Sequence, residues 1–166
     1  MNLNKDEISK LWDSITPKLY GYLLNVLKDK RVAEDILQTT WLKAMENLGS
    51  FGGRGDNFSA WLFAIARNEM RMHWRKGNQG GREIAYDPSL HDHGENDQSG
   101  ENKILVDQIL DKLSEEEQDL IRLRYIAELT PDDIGKLLKL NSVNVRVKIH
   151  RALARARVLI KDQIHQ

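Results

Sequence analysis

Apolar residues along this chain recur at spacings of three and four, and nowhere alternate long enough to make a strand. The first stripe, Ile8, Leu11, Trp12, Ile15, Leu19, Leu23, Val26 and Leu27, follows Asn4 and Glu7 at the spacing of a capping box. Thr16-Pro17 in its middle predicts a kink or a restart, because proline donates no backbone hydrogen bond. A second stripe, Ala33, Ile36, Leu37, Thr40, Ala44 and Leu48, predicts a helix from about Lys30 to Leu48. After a Gly-rich loop, Gly49 to Asn57, a third helix runs from Phe58 to about Arg75, with Phe58, Trp61, Leu62, Ile65 and Met72 inward. Periodicity then stops. Gly77 to Glu101 holds five of the eleven glycines and is rich in Asn, Asp, Glu and Gln, which reads as a flexible linker. The pattern predicts an all-α protein of two small helical domains, 1–76 and 102–166, joined by an acidic linker over 77–101.

The last segment carries a helix-turn-helix. Thr130 is an N-cap, Pro131 suits the first helical position, and Asp133 completes a variant capping box. Ile134, Leu137 and Leu138 make a short amphipathic helix, Leu140-Asn141 the turn, and Asn141 caps a longer helix. On that helix Val145, Ile149, Ala152, Leu153 and Ala156 form the apolar side, and Asn144, Val147, Lys148, Arg151 and Arg155 lie opposite. A helix that is apolar behind and basic in front fits a duplex major groove. Asn144 would pair with adenine, Lys148 or Arg151 with guanine, and Val147 would touch a thymine methyl. Arg146, Arg155 and Arg157 suit phosphate. Against this stands the plainer reading of a solvated basic surface.

Charge sharpens the picture. The net charge is zero, which would argue against a nucleic-acid partner if the chain were uniform. Residues 141–166 instead carry six Lys/Arg against Asp162 alone, residues 102–140 carry six basic against nine acidic, and 77–101 carry one against six. The third helix shows Arg67, Asn68, Arg71, Trp74 and Arg75 outward, with Lys76 after them; Arg mixed with an aromatic can hold a phosphate backbone and stack on an unpaired base. Trp74 alternatively closes the core at the helix end. The glycine loop is no P-loop, since no Gly-Lys-Ser/Thr follows, and Arg54-Gly55-Asp56 reads as chance. His91-Asp92-His93 with Glu95 and Asp97 could chelate a divalent metal, but in a glycine-rich linker without supporting contacts no metal or other cofactor is expected. Without cysteine there is no disulfide and no thiol chemistry. Neither a membrane span nor a signal peptide is read, and a cytoplasmic, non-enzymatic protein is expected.

Four stretches in register then resemble a family: Ala33 to Ala44; Phe58 to Asn68; Leu113-Ser114-Glu115-Glu116-Glu117-Gln118 with Arg124-Tyr125; and Val145 to Ala152. Over essentially the whole chain they resemble a bacterial RNA polymerase sigma factor of the two-domain, extracytoplasmic-function group of the sigma-70-like family. The resemblance implies that the second helix binds core RNA polymerase through Asp35, Gln38 and Lys43. It implies that the third helix recognises and opens the −10 element of promoter DNA, with Arg67, Asn68, Arg71, Trp74 and Arg75, and that the last long helix reads the −35 element. An anti-sigma factor covering the polymerase-binding surfaces, and a stress or envelope signal, are implied as well. Two departures stand out: no Asp follows the Arg67-Asn68 pair, where Met70 and Met72 occur, and Ser142, Val143 and Asn144 replace the small residues usual at the start of the recognition helix. The competing reading is a stand-alone helix-turn-helix regulator, which would need a ligand pocket or receiver-type acidic site in the first lobe.

Overall fold

The structure, a computed structural model, describes residues 3–52, 57–79 and 97–165. The chain divides into two units, Met1–Leu90 and His91–Gln166. Every regular element among the described residues is helical.

In the first unit, α1 (Lys5–Leu27), α2 (Lys30–Glu46) and α3 (Phe58–Gln79) form a bundle in which α2 packs against both neighbours. The capping box at the start of α1 is complete: Glu7 N–H donates to Asn4 Oδ1 at 2.8 Å, and Asn4 N–H to Glu7 Oε2 at 2.9 Å. Pro17 neither restarts nor ends α1, which continues through it as one helix. Burial of Ile15, Leu19, Tyr22 and Leu23 on its packed face outweighs the one backbone bond that proline removes. Lys28, with φ 55°, closes α1, and Asp29 caps α2 by accepting from Val32 N–H at 3.1 Å.

The inward faces differ in part from the expected stripes. Leu37 and Leu48 are only half-buried, and α2 stops at Glu46, before Leu48. Trp41, outside the expected set, is buried and stacks on Trp12, ring centroids 4.5 Å apart. On α3 the packed line is Leu62, Ala66 and Met70 with Phe63, while Trp61, Ile65 and Met72 sit at its margin. Ala66 explains the displacement: a small residue adds little apolar weight to a stripe, yet it is where neighbouring backbones can come closest. Phe51, Phe58 and Trp61 join the aromatic cluster at the base of α3, at 4.8–5.6 Å.

The second unit holds α4 (Asp97–Asp111), α5 (Glu115–Ile121), α6 (Pro131–Leu138) and α7 (Ser142–Ile164), with α7 packed against the other three. Its core is Ile109, Leu110, Leu113, Leu120, Leu123, Ala127, Leu129, Ile134, Val145, Ile149 and Ala152. Leu153 and Ala156, expected inward, are half-buried. Helix α5 runs on into a π-helical turn, Arg122–Ile126, closed by Ala127 N–H donating to the Arg122 carbonyl at 2.9 Å. Helical structure reaches further into 77–101 than apolar spacing suggests, since α3 extends to Gln79 and α4 starts at Asp97. The rest of that segment lies outside the described residues, as do His91, Asp92, His93 and Glu95, and Arg54-Gly55-Asp56.

Candidate nucleic-acid interface

The helix-turn-helix is built by three local devices. Thr130 Oγ1 accepts from Asp133 N–H at 3.2 Å, with Pro131 in the first turn of α6. Lys139, with φ 59°, ends α6, and Leu140 N–H donates to the Gly135 carbonyl at 2.8 Å. Asn141 Oδ1 then accepts from Asn144 N–H at 2.7 Å and starts α7. Gly135 is what lets the turn close. A Cβ there would meet the Leu140 carbonyl oxygen at 2.5 Å, well inside van der Waals contact.

On α7 the buried line Val145, Ile149 and Ala152 faces the unit's core, which fixes the exposed side. Asn144, Arg146, Val147, Arg151 and Arg155 are exposed. Lys148 is not free. It lies half-buried beside the packed line, and its Nζ donates to Glu116 Oε1 at 2.7 Å. Arg155 reaches the same neighbour helix, donating to Glu117 Oε1 at 3.1 Å. Two α5 carboxylates thus hold two of the cations expected on the DNA face. Their own placement comes from the sequence: Ser114 and Glu117 make a reciprocal capping box, at 2.9 and 3.2 Å, that orients the first turn of α5. The Ser114 backbone N–H, above all, holds the Glu117 carboxyl below the ordinary glutamate range, with Arg155 adding to the effect. The middle of the outward face belongs to Val143, Val147, His150 and Arg151. Val143 is 65% exposed and Val147 40%, for side chains that normally seek the core. Val143 and His150 were absent from the expected reading set, and the signal was there: each lies opposite the Val145–Ile149–Ala152 line on a helical wheel.

On α3, Asn68, Arg71, Trp74 and Arg75 are exposed. Trp74 is 45% exposed, so it presents part of its ring outward. Arg67 behaves differently. It is half-buried, and its Nη1 donates to the hydroxyl of the buried Tyr22 at 2.8 Å, tying α3 to α1. Lys76 follows on the exposed side.

On α2, Asp35 and Gln38 are exposed as expected, and Lys43 turns inward to ion-pair with Glu69 of α3. The Glu69 side chain is only 11% exposed. Leu42, 64% exposed, and Met45 continue the outward row that Asp35 and Gln38 begin. Sequence reading passed over both. An apolar residue exposed on a helix is invisible to a pattern that assigns apolar positions inward.

Comparison with known proteins places the chain in a family. Residues 11–79 match the family model for Sigma-70 region 2, and residues 103–155 that for Sigma-70 region 4. The ECF RNA polymerase sigma factor SigM of Bacillus subtilis is 25% identical over 92% of this chain and 94% of its own length. SigW of the same bacterium is 27% identical, over 96% and 91%. BldN of Streptomyces coelicolor is 27% identical over 95% of this chain, which spans 61% of that protein's length. In fold, the chain resembles CnrH, solved in complex with the cytosolic domain of CnrY, at a TM-score of 0.68 and 22% identity over 96% of this chain and 90% of that one. It likewise resembles RpoE of Bartonella quintana, solved with the anti-sigma factor NepR, at a TM-score of 0.67 and 24% identity, over 95% and 98%.

Proposed function

The chain is a sigma factor of the sigma-70 family, carrying that family's region 2 and region 4, and we propose how its helices divide the work of starting transcription. Helix α2 docks on core RNA polymerase through Asp35, Gln38, Leu42 and Met45. Helix α3 captures the opened −10 element, and α7 reads the −35 element as duplex. Lys43 supports the first surface from behind, by pairing with Glu69, and Arg67 supports the second through Tyr22.

One observation carries the proposal: Trp74 stands in solvent between Arg71 and Arg75 on α3. An indole costs free energy when left in water, and the two guanidiniums beside it attract phosphate. An unpaired base stacked on Trp74 would relieve the first and bring phosphate to the second, so the strand is held only once it is separated. Capturing the separated strand lowers the cost of opening the duplex. The site of action is cytoplasmic, where promoter and polymerase are. Among the described residues, no helix is long and apolar enough to cross a membrane. An anti-sigma factor that covers the Asp35–Met45 face would hold the chain inactive until a stress or envelope signal releases it. A stand-alone regulator would leave that face without a task.

Reconstituted transcription tests this. With core polymerase, the purified chain should produce promoter-specific transcripts. Trp74→Ala should lower permanganate-detected opening by about tenfold, the loss of one base stack, while promoter occupancy is retained. Failure of the unmodified chain to associate with core polymerase would overturn the reading.

A further inference from the structure

Resting on the −35 assignment above, we infer that α7 selects its site through the methyl groups of thymine, seated against Val143 and Val147, and that Lys148 positions the helix instead of reading guanine. The two valines lie one helical turn apart on the exposed face, at the end of α7 that follows the turn. One turn advances about 5.4 Å along the helix, between one and two base-pair steps of about 3.4 Å each, so the pair spans neighbouring steps of one groove wall. Neither side chain has a polar atom, and the major-groove feature that an aliphatic side chain can recognise is the C5 methyl of thymine.

Charge agrees with this assignment. Lys148 would have to leave Glu116, 2.7 Å away, to reach a guanine edge, and would leave that carboxylate facing phosphate. Arg155 is held in the same way by Glu117. The pairs make α5 a brace for α7 and neutralise the cations nearest to it. Arg146 and Arg151, exposed on either side of the valine row, remain for phosphate and for a guanine edge.

The test uses holoenzyme assembled from the full chain and core polymerase. Promoters are selected from a library randomised upstream of the start site, and binding is then measured with each −35 thymine replaced by deoxyuridine, which lacks the methyl. At one or two positions the replacement should weaken binding about fourfold, the equivalent of one buried methyl group. In Val143→Ala and Val147→Ala, both at exposed positions that leave the core intact, thymine and deoxyuridine should bind alike at the position each valine covers. Lys148→Met should keep the selected sequence unchanged. A selected promoter on which deoxyuridine equals thymine everywhere overturns the methyl inference and leaves the sigma-factor reading standing. If no sequence is enriched at all, the −35 assignment fails first and the inference falls with it.

Discussion

At the scale of single residues, several side chains spend their charge inside the molecule. Glu117 is bound by the Ser114 N–H and by Arg155, and its carboxyl is held below the ordinary value of 4.5. A lowered folded value means stability that is present above pH 4.5 and is lost as pH falls through the folded value. Glu117→Gln keeps the capping geometry but does not titrate. Its thermal midpoint should therefore fall less steeply with pH below 4.5 than that of the unmodified chain, read by circular dichroism. Lys43→Met, which strands the nearly buried Glu69, should destabilise the first unit by about 1–3 kcal/mol. The exchange Lys43→Glu with Glu69→Lys should recover part of this, as a double-mutant cycle in urea would show. Such pairings could not be read from sequence. Lys43 and Lys148 look like any solvated lysine until the partner helix is known.

At the scale of elements, what was legible was what is encoded locally. The caps at Asn4, Thr130 and Asn141 act within one turn of themselves, and all three side chains cap their helices. The box is reciprocal at Asn4, whereas at Thr130 the side-chain cap forms without the return bond expected from Asp133. The helix-turn-helix was legible for the same reason. The exact register of buried faces was less so, because Trp41 and Ala66 are set by what α2 and α3 press against. The π turn Arg122–Ile126 left no spacing signal either. Gly135 shows how an element boundary depends on one missing atom. Gly135→Ala should cost about 1–3 kcal/mol through forced overpacking against the Leu140 carbonyl, measured by chemical denaturation. It should also weaken −35 duplex binding by misplacing α7.

At the scale of the whole molecule, each unit has its own core, so the effect of a core defect is expected in the unit that carries it. Hydrogen exchange on Gly135→Ala should quicken across α6 and α7 while α1, α2 and α3 keep their protection. Zero net charge hides this division of labour. The acidic stretch before α7 supplies Glu116 and Glu117, which brace α7, so the balance of charge is partly used within the fold. All four tryptophans lie between positions 12 and 74, in the first unit. Two of them, Trp12 and Trp41, stand with ring centroids 4.5 Å apart across α1 and α2, close enough for their electronic transitions to mix. Light absorbed by the pair is then shared between two helices, and its circular dichroism reports their alignment. Trp41 sits on α2, whose outer row we propose meets the polymerase, so on that proposal the ultraviolet signature would register docking without any label.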